Sequence, residues 1–152
     1  AYFGDPQFAD YPVLYIAWQQ AIEYSRWLGG SLPTQTQWRY AAHGPQGWRY
    51  PWGDLEPDAT RASFNGFIGD TTSSGSYAAS ASWVGALNMA GNVWEWVDAQ
   101  GGIRAVIMGG SWNSHAGLIR TTANTQIPDG AGNPYIGFRV VATSLVPPAL
   151  ED

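Results

Sequence analysis

The densest chemistry in this chain lies in six consecutive residues, Gly91-Asn92-Val93-Trp94-Glu95-Trp96. One carboxylate is held between two indoles. Two readings fit. In the first, Trp94 and Trp96 are core and Glu95 points to solvent by strand alternation. In the second, Glu95, the Asn88 side chain and nearby carbonyls supply oxygens to a hard cation such as Ca²⁺, which takes six to eight of them. Other reactive groups are sparse. His43 and His115 are far apart, and neither has a second histidine at metal-ligand spacing, so a helix-end His and a loop His is the plainer assignment. Asp54, Glu56 and Asp58 cluster after Trp52-Gly53 but lack the glycine and closing glutamate of a calcium loop. Ser111 lacks a Gly-x-Ser-x-Gly context, and the Gly29-Gly30 and Gly109-Gly110 pairs lack the spacing and lysine of a phosphate loop. The chain has no cysteine, which removes disulfides, thiolate metal sites and a cysteine nucleophile.

The elements that must position these groups follow from pattern. The 152 residues suit one domain, taken as residues 1–152. Nine Trp, eight Tyr and five Phe against 12% charged residues argue against disorder. A net charge of −5 argues against a nucleic-acid partner, which needs clustered Lys and Arg. No apolar run approaches the roughly 20 residues of a membrane span. Ala21, Tyr24, Trp27 and Leu28 recur at helical spacing from Trp18, and Gly29-Gly30 ends that helix. Thr34 and Gln37 form a capping-box pattern that opens a second helix to His43, with Trp38, Ala41 and Ala42 on its apolar face. Residues 44–82 read as one long loop, of the kind that is functional, ligand-bound or ion-pinned. Val13–Trp18 begins strand-like, and Ile103–Met108 and Gly137–Ala142 read as strands. Gly109–Ile136 between them reads as irregular. Under half the chain is expected in regular elements.

Taken in order, these segments resemble the formylglycine-generating-enzyme, or sulfatase-modifying-factor, family. The landmarks are Pro12-Val13, Trp18, Trp27-Leu28-Gly29, Leu32-Pro33-Thr34, Trp38, Tyr40-Ala41-Ala42 and Tyr50-Pro51-Trp52-Gly53-Asp54. They continue through Asn65, Asn88-Met89-Ala90, Gly91–Trp96, Gly109-Gly110-Ser111-Trp112, Arg120 and Gly137-Phe138-Arg139-Val140. The resemblance implies an α+β chain with the C-type lectin fold: two helices, a small antiparallel sheet and long ordered loops. It also implies a calcium site on Asn88 and Glu95 and the carbonyls of Gly91 and Val93. A second family site would fall on Asn65 and Asp70, in a loop much shorter here. Departures accompany the match. Gln35, Gln37 and Arg39 stand where the family usually has glutamates, and Ser31 where it has arginine. Active members oxidise a substrate cysteine with a copper-binding cysteine pair near the C-terminus, and this chain has none.

One branch of that family, the variable proteins of diversity-generating retroelements, is more similar still. Its C-terminal pattern corresponds to Gly110-Ser111-Trp112, Arg120, Pro128-Asp129 and Ile136-Gly137-Phe138-Arg139. The residues between then correspond to mutable positions: Asn113, Ser114, His115, Gly117, Leu118, Asn124, Thr125, Gln126, Ile127, Asn133, Pro134 and Tyr135. The resemblance implies a non-enzymatic module that binds a protein or other macromolecular ligand, displayed at a cell surface, in secreted form or on a virion. No cofactor is required; if a cation is bound, it is a structural Ca²⁺ ion. Most of the mutable side chains should lie exposed on one surface, with Trp112, Arg120 and Phe138 buried or half-buried beneath. The alternative is a cysteine-free enzyme or maturation factor of the same family.

Overall fold

The computed structural model describes residues 4–101, 104–128 and 130–142. Helix α1 spans Trp18–Trp27. The Gln20 Oε1 at its start accepts the Ala17 N–H, and Gly29, with φ +79°, ends it. Helix α2 spans Gln35–His43. Its Thr34 hydroxyl accepts the Gln37 N–H at 3.1 Å while the Gln37 side chain accepts the Thr34 N–H at 2.9 Å, a complete capping box. Strands β1 (Trp94–Val97), β2 (Ala105–Met108), β3 (Asn124–Ile127) and β4 (Ile136–Phe138) form one sheet in the order β3-β2-β1-β4. These elements hold well under half of the chain.

The sheet departs from a purely antiparallel one. β2 runs antiparallel to β1 and to β3, whereas β4 lies parallel to β1. Three further differences have physical causes. Val13–Trp18 forms no strand. The described residues of 109–136 contain β3, a short 3-10 helix, Ala116–Ile119, and the first residue of β4. β3 is polar because it is the exposed edge of the sheet, so it carries no apolar alternation for sequence to show. In α1 the buried residues are Ala21 and Ser25, while Tyr24 and Trp27 are exposed.

Register divides the sheet into two faces. Trp94, Trp96, Ala105, Ile107 and Ile136 pack with Ala21 and Leu32, which puts α1 on one face. Val97, Val106 and Met108 pack with Trp38, Ala42 and Met89, which puts α2 on the other. β1 and β2 are consequently buried at every residue. The long loop 44–82 is held by a third cluster of Tyr50, Ala62, Phe64, Ala90 and Ile119. Asn92 pins it further. Its Oδ1 accepts the Thr72 N–H at 2.9 Å and its Nδ2 donates to the Thr72 carbonyl at 3.1 Å. Gly91 precedes that clamp at φ +77°, where any Cβ would collide with the Ser63 carbonyl.

Candidate ligand-binding face and the buried glutamate

Strand alternation turns Glu95 away from Trp94 and Trp96, but α2 covers that face, so Glu95 is only 5% exposed instead of reaching solvent. A buried carboxylate needs compensation, and three donors supply it. Arg139 donates from Nε and an Nη at 2.6 Å each, one to each carboxylate oxygen, and Trp38 Nε1 adds a third bond at 2.6 Å. A third Arg139 hydrogen bond, to the Leu87 carbonyl at 2.9 Å, ties the loop before β1 to the same centre. Burial works to lower the Arg139 pKa, but the charge and hydrogen bonds of Glu95 together hold it above its ordinary value. The arrangement joins β1, β4 and α2 through one ion pair.

This geometry bears directly on Asn88, Gly91, Val93 and Glu95, the residues expected to hold calcium. Asn88 fits such a role. Its Oδ1 is buried without a hydrogen-bond partner, its Nδ2 donates to the Ser74 carbonyl at 2.9 Å, and it lines a cavity of about 270 Å³ with Glu95 and Arg139. Glu95 does not fit. Both of its oxygens serve Arg139 and Trp38, and a divalent ion there would face a guanidinium. Gly91 and Val93 are buried. Of the second set, Asn65 is exposed with φ +53°, and Asp70 is exposed and accepts the Thr71 N–H at 2.7 Å. Among the described residues, no three His, Cys, Asp or Glu side chains converge on a metal position.

Most of the positions expected to be mutable fall together in the structure. Asn113, Ser114, His115, Leu118, Thr125, Ile127, Asn133 and Tyr135, eight of the twelve positions, line one cavity of about 300 Å³. Its floor is Trp94, Ile107 and Ile136 from the α1 face of the sheet. Thr125 and Ile127 reach it from β3, while Asn124 and Gln126 alternate to the opposite face of that strand. Gly117 is exposed, Pro134 half-buried.

The backbone beneath is fixed by buried groups. Gly110, at φ +75°, lets the 3-10 helix approach; a Cβ there would lie 2.6 Å from Ile119 Cγ2 and 2.8 Å from the Leu118 carbonyl. The Trp112 N–H donates to the Asn92 carbonyl at 2.8 Å, and the Trp112 ring meets Tyr135 at 5.5 Å between centroids. Trp112 and Phe138 are both half-buried, but Phe138 packs on Tyr24 of α1 and lines the cavity of Glu95 instead of this one.

Two positions behave otherwise. Ser114 is buried at 7% exposure rather than displayed, because its hydroxyl accepts the Ser111 N–H at 2.9 Å and closes the turn. Arg120 is exposed rather than buried and donates to no loop carbonyl among the described residues; Ile119, the residue before it, enters the core instead. Ile127, Asn133 and Tyr135 are half-buried cavity walls.

The sulfatase-modifying factor enzyme 1-like domain model matches residues 4–144. The chain belongs to this family. The serine/threonine-protein kinase Pkn1 of Chlamydia trachomatis is 33% identical over 89% of this chain and 25% of its own length. The formylglycine-generating enzyme of Streptomyces coelicolor is 31% identical over 86% of this chain and 52% of its own length. The chain thus spans a quarter to about half of these relatives. Among solved structures, Treponema denticola variable protein 1 superposes with a TM-score of 0.70 at 19% identity, covering 91% of this chain and 73% of that one. That likeness shows the C-type lectin fold of the sulfatase-modifying-factor type.

Remaining sequence candidates occupy separate places in this domain. His43 ends α2 with Nδ1 at 2.5 Å from the Gly44 carbonyl, and His115 caps the 3-10 helix by accepting the Gly117 N–H at 3.2 Å. The acidic cluster is spent locally. Asp54 accepts the Arg49 N–H, Glu56 pairs with Arg49, and Asp58 pairs with Arg61. The residue that sequence reading missed is Arg139 as partner of Glu95. Its signal was a lone arginine within the apolar run 136–141, where a buried charge implies an opposite one.

Proposed function

We propose that this domain is a non-enzymatic ligand-binding module that displays replaceable side chains on a rigid lectin-type scaffold, as a retroelement variable protein does. The observation that carries this reading is the convergence of eight separately chosen positions on one cavity whose backbone is fixed from below. Side chains at a well-packed core cannot be exchanged freely, since a change of even one methylene is felt there. Asn113, His115, Gly117, Leu118, Asn124, Thr125 and Gln126 are exposed and free of that constraint. The ligand is a protein or other macromolecule that covers the cavity and β3. The test is genomic. A nearby reverse transcriptase and a near-copy of the segment encoding Gly109–Phe138, mismatched at the codons of the twelve positions, are expected. A locus with neither contradicts the reading.

The likeness to a formylglycine-generating enzyme favours a second reading, an oxidase of the same family. A soft copper ion needs thiolate or thioether ligands. The chain has no cysteine, and its two methionines, Met89 and Met108, are buried at 1% and 0% exposure in the α2-side core. Incubation with a cysteine-containing sulfatase-type peptide and copper should yield no aldehyde. Aldehyde formation would establish the second reading instead.

A further inference from the structure

The display reading leaves the chemistry of the ligand open; the cavity and its rim narrow it. Among the described residues, none that lines the cavity carries a carboxylate, ammonium or guanidinium. Hydrogen bonds within the loop engage two of the lining acceptors and leave the donors of the same side chains free. Asn133 Oδ1 accepts the Tyr135 N–H at 2.9 Å, so its amide nitrogen is left to donate outward. His115 Nδ1 accepts the Gly117 N–H at 3.2 Å, which places the ring proton on Nε2. The Ser111 and Ser114 hydroxyls satisfy each other at 3.2 Å. Below these donors lies the apolar floor of Trp94 and Ile107. A volume of about 300 Å³ sits at the bottom of the range for small-molecule sites, roughly 300–1,000 Å³. It admits one large side chain rather than a nucleotide or flavin.

Charge lies beside the cavity rather than in its lining. All seven basic residues of the chain are arginines. Arg49, Arg61 and Arg139 are in ion pairs, and Arg26 and Arg39 sit on the helices. The remaining two bracket β3. Arg104 precedes β2 at the end where Ala105 pairs with Ile127, and its side-chain hydrogen bond goes to the neutral Gln126. Arg120 follows the 3-10 helix that carries Leu118 and is exposed, without an ion pair among the described residues. In a chain of net charge −5, these two guanidiniums have no ion pair among the described residues, and Arg104 stands beside Gln126, on the face of β3 away from the cavity.

We propose that this face receives an acidic loop or extended segment of a protein ligand, one uncharged aromatic or branched aliphatic side chain of which fills the cavity. A carbonyl or carboxylate beside that side chain accepts from His115 and Asn133, and flanking Asp or Glu residues face Arg104 and Arg120. The proposal rests on the display reading and specifies its ligand.

Selection of random linear peptides displayed on phage against the whole chain tests it. Enriched peptides should carry Trp, Tyr, Phe or Leu next to Asp or Glu. Their affinity should fall at least about tenfold on Leu118→Arg or Asn133→Asp, the scale of a hot-spot loss. Arg104→Ala and Arg120→Ala should slow association and flatten its salt dependence. Thermal unfolding of each variant verifies that it is folded. Basic consensus peptides, no enrichment, or binding indifferent to Leu118→Arg and Asn133→Asp would overturn the proposal. If such indifferent peptides still lose affinity on Asn113 or Gln126 substitution, the display reading survives and only the ligand chemistry falls. If no substitution among the twelve positions matters, both fall.

Discussion

β1 and β3 are four-residue strands of one sheet, separated only by β2, and they obey opposite rules. Every residue of β1 is buried, whereas Asn124, Thr125 and Gln126 of β3 are exposed and Ile127 is half-buried. β1 lies between α1 and α2 and carries the Glu95 ion pair. β3 is an edge with a cavity on one side. The contrast teaches where a fold can store variation: at the edge of a sheet whose register is fixed by its centre. β3 needs its backbone pairing with β2, which any side chain supplies, while β1 needs particular volumes and one charge.

The contrast breaks most visibly at the ion pair. Arg139→Met leaves the Glu95 carboxylate buried and uncompensated, and urea unfolding should register a loss of about 3–5 kcal/mol. Glu95→Leu combined with Arg139→Met should recover much of it, since a buried pair replaced as a unit by apolar residues is often near neutral. Trp96→Ala, at 0% exposure, should cost about 3–5 kcal/mol as well. At the boundary between the two regions, Gly110→Ala meets both positive φ and the Leu118 carbonyl, and a loss of about 1–3 kcal/mol is expected. Ser114→Ala removes the acceptor for the Ser111 N–H and should cost about 1–2 kcal/mol, which separates it from its exposed neighbours. Asn124→Ala, Thr125→Ala and Gln126→Ala should each stay within about 0.5 kcal/mol. Exhaustive chelation should move the melting temperature not at all, because Glu95 already has its counter-charge. A fall on chelation that calcium restores would show that Asn88 and Glu95 hold an ion.

Much of this was legible in sequence where local chemistry decides. Thr34 and Gln37 announce a helix start, Gly29 a helix end, and Trp38 with Ala42 a buried face. The ordered landmarks carried the fold, and eight of the twelve positions from Asn113 to Tyr135 line one cavity because they hang from fixed glycines and tryptophans. What was hidden depends on long-range pairing. Glu95 finds Arg139 from 44 residues away, across a parallel β1–β4 contact that no spacing encodes. β3 escaped because an exposed edge strand needs no apolar alternation. Ser114 looked like its neighbours, and only the hydroxyl bond to Ser111 sets it apart. Arg120 was read as a buried brace, but Ile119 takes that place and frees the guanidinium.

The central claim is that one side of this domain tolerates substitution while the other does not. Simultaneous randomisation of Asn113, His115, Leu118, Asn124, Thr125 and Gln126, followed by thermal unfolding of a sample of variants, tests it most directly. Most members should fold cooperatively and melt within about 10 °C of the parent, as expected if each change costs at most about 0.5 kcal/mol. If most members are unfolded at room temperature, these residues are scaffold, and the division between the two strands is wrong.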